Sequence, residues 1–343
     1  MSLRAVLVGC GRMGGFIDDE QEGKPGFVGP YCHAGAYKVA RGVDLVAAAD
    51  IVPGKADALA AKWGVPATYV DYREMITTER PDVVSVTTRP DTHAEVAIFA
   101  AENGARAVYC EKPMCCSMQE ADAIRAACEK HGVVLNLGSS RRYQEPFWRM
   151  ADLVSSGAIG DVQLVVSYSS GGALWTHTHT TDILMLLAGD PTPLWAQASA
   201  DLTPEERVAP TITRDPQILN AAFEFDNGVR AVMTRCAGYE FEVHGSRGKI
   251  RTRGNGHAFE LHVFDDYGRA ESADFPAYER SSGSVNCIEN LVAAIVDGTP
   301  VRGGVDVAVR GQEMSMGAVQ SDRSGGARVD LPVVDRSLQI RGW

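Results

Sequence analysis

Short, unbroken apolar runs punctuate the first 138 residues, and a different pattern follows. Ala5–Val8, Leu45–Ala49, Val83–Thr87, Ala107–Cys110 and Val133–Leu137 read as strands buried on both faces. Helical stretches lie between them, among them Lys55–Lys62, His93–Glu102 and Met118–His131. Strand–helix alternation with continuously apolar strands predicts a doubly wound parallel sheet covered on both sides, an α/β unit over residues 1–138. Beyond it, Phe223–Phe225 and Val229–Thr234 flank Asp226-Asn227-Gly228, and Asn-Gly between two strand-like runs signals a hairpin. Further strands are expected at Phe241–His244, Lys249–Thr252 and Leu261–Phe264, and helices at Val285–Val296 and near Val305–Val319. Residues 139–343 therefore predict an α+β unit with a largely antiparallel sheet. The polar, Gly- and Pro-rich stretch Asp18–Pro30 predicts a loop inserted in the first helical crossover.

Composition narrows the function. Of the 343 residues 45% are apolar and 22% charged, as in ordinary globular chains. The net charge of −11 works against a broad nucleic-acid or anionic-membrane surface, which needs clustered Lys and Arg. No apolar run approaches the roughly 18 residues of a membrane span, and no signal-peptide layout precedes the first strand. The eight Cys have neither CxxC pairs nor framework spacing, so they predict buried or free thiols in a reducing compartment, the cytoplasm.

Gly9-Cys10-Gly11-Arg12-Met13-Gly14 follows the first strand directly. In a G-x-G-x-x-G at this place the first glycine permits the turn and the second admits a pyrophosphate. The third lets helix and strand pack closely, with phosphates at the helix N-terminus. Asp50, after the second strand, is placed to accept hydrogen bonds from the adenosine ribose and to repel a 2′-phosphate. Two unit charges at about 4 Å repel by roughly 4 kcal/mol at an effective dielectric of 20. With Ile51 following rather than Arg, NAD is expected in preference to NADP. Further along, Glu111-Lys112-Pro113 stands at the carboxyl end of a buried parallel strand, where ligands of such sheets bind. A solvated Glu111–Lys112 pair is the alternative.

Together with Asp91-Thr92-His93, Gly157-x-x-Gly160, His179-x-x-Asp182, His244-Gly245-x-x-Gly248 and Val329-x-Leu331-Pro332, these motifs resemble the glucose–fructose oxidoreductase/inositol dehydrogenase (Gfo/Idh/MocA) family over nearly the whole chain. The resemblance implies an N-terminal Rossmann domain and a C-terminal α+β domain whose open sheet often mediates homodimers or homotetramers. It implies NAD(P)-dependent oxidation or reduction of a secondary alcohol on a sugar or cyclitol. Lys112 would be the catalytic lysine, with a cis Lys112–Pro113 peptide, and His179 the proton acceptor or donor. Asp182 would touch substrate. Gly9, Gly11, Arg12, Met13, Gly14, Asp50, Thr88, His93, Glu111 and Lys112 are the expected cofactor contacts.

The segment Trp175-Thr176-His177-Thr178-His179-Thr180-Thr181-Asp182 enters an apolar helix. Its threonines are plausible N-caps, and the positive end of the helix disfavours imidazolium at His179. An imidazole near its ordinary pKa of about 6.5 is the natural base at neutral pH. Many family members carry Asp where this chain has Trp175, which could instead stack on a sugar ring. His177, His179 and Asp182 could alternatively bind a metal, although no fourth ligand cluster is apparent, or could merely cap the helix. Arg141, Arg142 and Tyr143, after the last parallel strand, and Tyr239 are candidate substrate contacts. His33, His131, His244, His257 and His262 receive no functional role. Two rivals to a dehydrogenase stand: a glycosidase that oxidises its sugar transiently and retains NAD, and a regulatory protein that binds NAD without turnover.

Overall fold

The computed structural model describes residues 2–24 and 26–342, in two compact units. The first comprises residues 1–144 and 281–309, the second 145–280 and 310–343.

In the first unit β1 (Leu3–Val8), β2 (Val43–Ala49), β3 (Ala67–Tyr69), β4 (Val83–Val86), β5 (Ala107–Cys110) and β6 (Val134–Leu137) form one sheet. Its order is β3-β2-β1-β4-β5-β6, and every pairing is parallel. β1, β4 and β5 are buried at nearly every position, which is why their sequences read as unbroken apolar runs. The helices fall where the helical patterns lie: Lys55–Trp63, Pro90–Glu102 and Met118–His131. Ser117 caps the last of these by accepting from Glu120 N, and Gly132 closes it in the left-handed conformation. The sequence pattern missed β3, three half-exposed residues just after Pro66.

The stretch Asp18–Pro30 is only partly the expected loop. Ile17–Gln21 is α-helix, and the described residues from Glu22 onward are irregular. Asp18 on this helix accepts from Tyr31 N at 2.7 Å and Cys32 N at 3.3 Å through its carboxylate. That contact carries the chain into the helix His33–Val39.

A single boundary after residue 138 does not describe the first unit, because residues 281–309 also belong to it. Ser282 Oγ donates to Pro30 O, and Ser284 Oγ to Tyr31 O at 2.8 Å. Asn136 Nδ2 on β6 donates to Cys287 O at 3.3 Å. The apolar face of the helix Gly283–Asp297, with Val285, Cys287, Ile288 and Leu291 buried, completes a core that the parallel sheet leaves open.

The second unit is built on a nine-stranded sheet. Its strands are β7 (Val162–Ser169), β8 (Pro193–Ala200), β10 (Ile218–Phe225), β11 (Arg230–Thr234), β12 (Tyr239–Gly245), β13 (Gly248–Arg253), β14 (Ala258–Phe264), β15 (Ala270–Ala273) and β16 (Val329–Asp330). The order is β15-β14-β13-β12-β7-β11-β10-β8-β16, antiparallel except where β7 pairs with β11. β9 (Thr211–Ile212) and β17 (Gln339–Ile340) form a separate small pair. The hairpin at Asp226-Asn227-Gly228 joins β10 to β11, with Gly228 at φ +80°. β7 and β8 and the helix Glu145–Ser155 were not among the expected elements; the burial of both strands alternates imperfectly. The helix His177–Ala188 packs on β7, and one face of β12–β14 carries a charge ladder. There Glu242 pairs with Lys249 at 3.1 Å and Arg251 with Glu260 at 2.6 Å.

A Cβ added at Gly283 would lie 2.3 Å from Ser140 O, a backbone atom that cannot swing away. Gly283→Ala is therefore expected to cost about 1–3 kcal/mol, the range for overpacking, read as a lowered midpoint in urea unfolding. An unchanged midpoint would show that this helix is not seated on the first unit.

Candidate functional site

The carboxyl ends of β1, β2, β4 and β5 lie on one edge of the first unit's sheet, and the turns after them carry the polar groups. β1 is followed by Gly9, at φ +97°, where a Cβ would come 2.7 Å from Thr88 N and 2.8 Å from Thr87 O. Gly14 is equally constrained, since its Cβ would sit 2.3 Å from Gly9 O. Gly11 differs: a Cβ there would meet nothing within 4 Å. The protein's own packing demands glycine at 9 and 14, whereas the missing side chain at 11 opens outward. That is the shape needed for a diphosphate to approach the backbone. Gly11 is also the N-cap of the helical run that starts at Arg12 as a π turn and continues as Ile17–Gln21, and no side chain caps it. Arg12 is exposed and held by Glu20 at 2.9 Å, and Met13 is half-buried.

Asp50 is fixed by two backbone donors. Oδ2 accepts from Cys10 N at 2.8 Å, within the Gly-rich turn, and Oδ1 accepts from Val52 N at 2.8 Å. Each carboxylate oxygen keeps a further lone-pair direction for a ribose hydroxyl. The following Ile51 is 79% exposed and offers no cation to a 2′-phosphate. These residues fit a dinucleotide without a 2′-phosphate.

Thr88 and His93 stand where two loops meet. Buried His93 faces Thr88 O at 3.1 Å through Nε2 and Pro113 O at 2.9 Å through Nδ1. It thereby links the loop after β4 to the Lys112 turn. Burial pushes its pKa below the ordinary value. The Lys112–Pro113 peptide is cis, as the resemblance implied.

Glu111 is buried and its partner was not anticipated. Its Oε1 stands 3.1 Å from His33 Nε2, and its Oε2 accepts from Lys112 N at 3.2 Å. His33 stacks on Tyr109 at 3.9 Å between centroids, and its Nδ1 meets Ser85 Oγ, which in turn contacts Tyr37 OH at 2.9 Å. The His33 contacts, with Lys112 beside it, hold the Glu111 carboxyl below the usual range against the opposing effect of burial. His33 thus anchors the turn that presents Lys112. A histidine on an otherwise apolar helix face, Ala34, Ala36 and Tyr37, is the one sequence signal that could have suggested it.

Arg142 and Tyr143 lie in the interior of the first unit. Arg142 is 1% exposed and Nη1 donates to Arg302 O at 3.2 Å, while Tyr143 O accepts from Asn286 Nδ2 at 2.7 Å. Those contacts brace the segments 140–143 and 281–303 against each other.

In the second unit, His177–Ala188 is a helix, with His179 in its first turn, half-buried, and Asp182 buried. The expected threonine cap is not used: Thr176 occupies the N-cap position without a side-chain hydrogen bond. The donors of the preceding turn go instead to Asp215, whose Oδ1 accepts from Leu174 N at 3.0 Å and Oδ2 from Trp175 N at 2.7 Å. Sequence reading missed Asp215 because it lies about 40 residues away. His177 Nδ1 meets Thr180 Oγ1 at 3.1 Å, and Thr180 Oγ1 meets Tyr239 OH at 2.9 Å. Tyr239 is thereby placed beside the helix turn that carries His179. Trp175 stays 46% exposed.

A parallel sheet in the order 3-2-1-4-5-6, with this Gly-rich turn and an acidic residue after the second strand, defines a dinucleotide-binding α/β protein. The chain belongs to the Gfo/Idh/MocA family. Residues 3–139 match the family described as "Oxidoreductase family, NAD-binding Rossmann fold", and residues 165–331 its "C-terminal alpha/beta domain". The inositol 2-dehydrogenase of Salmonella paratyphi B is 28% identical over 219 residues, 59% of this chain and 63% of that enzyme. The match thus spans less than two thirds of that relative. The inositol 2-dehydrogenase of Rhizobium meliloti is 26% identical over 88% of this chain and 91% of its own. Among solved structures, levoglucosan dehydrogenase in complex with NADH and levoglucosan superposes with a TM-score of 0.76 at 19% identity, over 97% of this chain and all of that one. That likeness shows a shared fold. No helix among the described residues is long and apolar enough to cross a membrane.

Two outcomes test the local geometry. Gly11→Val is expected to fold normally yet weaken NADH binding at least tenfold, whereas Gly14→Ala should lower the melting temperature outright; calorimetric titration and thermal melting separate them. The second concerns buried His177, whose pKa burial lowers to about 4. The unfolded chain protonates this residue from about pH 6.5 downward while the native chain resists until about pH 4. Native stability should therefore fall across that window, by up to about 3 kcal/mol, and level off below it. His177→Gln should remove that part of the slope in melting curves taken from pH 7 to 4.

Proposed function

We propose that this protein is an NAD-dependent dehydrogenase that oxidises a secondary alcohol on a sugar or cyclitol, or reduces the matching ketone. The observation that carries the reading is the Gly-rich turn: glycine at 11 is demanded by no internal contact, and the carboxylate of Asp50 is locked to the same turn. The named relatives, inositol 2-dehydrogenases, support the substrate class. Asp50, with Ile51 beside it, favours NAD over NADP.

Bound nicotinamide supplies the hydride acceptor; the protein's residues supply orientation and proton handling. Lys112 donates a hydrogen bond to the carbinol oxygen and stabilises the negative charge that grows there. His179 takes the hydroxyl proton as the carbon loses hydride, and returns it in the reverse direction. Asp182 and Tyr239 hold substrate hydroxyls, and Trp175 offers a ring face. In this reading the parallel sheet of the first unit binds the cofactor, while the second unit, residues 145–280 and 310–343, carries substrate groups and the sheet through which copies associate. The charge ladder on β12–β14, with both signs alternating, suits a homodimer or homotetramer. The eight cysteines, seven of them buried and none in a disulfide among the described residues, suit a cytoplasmic protein.

A panel of polyols and sugars, followed by NADH absorbance with each cofactor, is expected to yield a substrate that turns over with NAD. On that substrate Lys112→Ala should lower kcat by about 10²–10⁴-fold, the usual worth of such a group, with NAD affinity nearly unchanged. Near-normal turnover by the variant would overturn the assignment.

A further inference from the structure

We propose that Asp215 is a positioning residue for the segment that bears Trp175 and His179. The inference rests on the proton-transfer role given to His179 above, and extends it to a carboxylate with no part in that chemistry.

The run from Gly172 to the helix His177–Ala188 is a series of turns: Thr176 N and His177 N both reach Gly172 O, and His179 N reaches Thr176 O at 3.2 Å. Leu174 N and Trp175 N stand at the head of this run. Asp215 meets both, one oxygen to each. A carboxylate suits two adjacent donors because both its oxygens only accept, and such charge-assisted bonds are shorter and stronger than neutral ones.

The surroundings are shaped for this contact. A Cβ at Gly172 would lie 2.0 Å from Asp215 Oδ2, so only glycine lets the carboxylate come so close. Ala173 N donates to Pro216 O at 2.8 Å, which pairs the loop with the same segment. Arg214, next to Asp215, is clamped by Glu206 at 2.6 and 2.7 Å and by Asp201 at 2.8 Å. Asp215 therefore projects from a loop that is itself held fast. Asp215 thus holds the backbone of residue 175 while the Trp175 side chain stays exposed. Trp175 sets how substrate is held and His179 how the proton moves, so displacing their shared backbone should disturb both KM and kcat.

The test uses the full-length protein with Asp215→Asn and Asp215→Ala. The amide is nearly isosteric with the carboxylate but can accept at only one end, so the pair survives the loss of either variant to misfolding. Hydrogen exchange of peptides covering 173–179 is expected to quicken at least tenfold in both. Emission attributable to Trp175, isolated by difference against Trp175→Phe, should shift, and NAD affinity should stay within twofold. On the substrate found above, kcat should fall about 10–100-fold with a raised KM. Wild-type exchange and emission in both variants would overturn the positioning. Altered exchange with unchanged kcat and KM would overturn its consequence for catalysis. His179→Ala separates the two readings: normal turnover there refutes the base, while exchange and emission still decide Asp215.

Discussion

The passage of Gly9 against Thr87 is the constraint on which the first unit depends. β1 and β4 are neighbours in the sheet, and the chain leaves β1 with its backbone in van der Waals contact with the end of β4. Thr87 Oγ1 donates to Gly9 O at 2.5 Å across this contact. Any side chain at residue 9 would force the strands apart, and the turn at 11 could no longer present bare backbone. The neighbouring strands supply the rest: Asp50 bonds the turn from β2, and His93 joins the loop after β4 to the turn after β5. The nucleotide-binding edge is thus one continuous set of strand ends, each pinned to the next by a specific hydrogen bond.

The buried set Glu111, His33, Ser85 and Tyr37 explains how a charged turn can be kept rigid at the end of an apolar strand. A lone carboxylate in that position would carry a desolvation cost of several kcal/mol. Contact with His33 offsets it, and Ser85 Oγ, itself met by Tyr37 OH, meets the other nitrogen of the imidazole. The Glu-Lys-Pro motif was legible from its place after a buried strand. The partner of its glutamate was not, because His33 lies 78 residues earlier and apolar periodicity says nothing about which polar side chain will be enclosed with which.

The same distinction separates what could be read from the chain and what could not. Ala107–Cys110 and Met118–His131 were placed to the residue, since a fully buried strand and a capped helix each write their limits locally. The Gly-rich turn was found because it follows the first buried strand directly, and Asp50 because it follows the second. β3 escaped, being short and half-exposed, and β7 and β8 escaped because a sheet covered unevenly on its two faces blurs the alternation of apolar and polar positions. The helix Gly283–Asp297 was found as a helix, but nothing local showed that its apolar face belongs to the core of the first unit.

The two units secure their polar turns by different physical means, and the difference bears on how each can change. In the first, polar groups stand at the ends of parallel strands, where the sheet itself dictates their place; replacing one strand end disturbs its neighbours. In the second, Trp175 and His179 ride on a turn whose register depends on a carboxylate donated by a distant loop. Residue 175 carries its aromatic ring outward while only its backbone is held. The side chain there can therefore vary without disturbing the bonds that place the helix, whereas Asp215 and Gly172 cannot vary independently of one another. A fold arranged this way keeps the strand ends of the first unit fixed and leaves residue 175 of the second open to change.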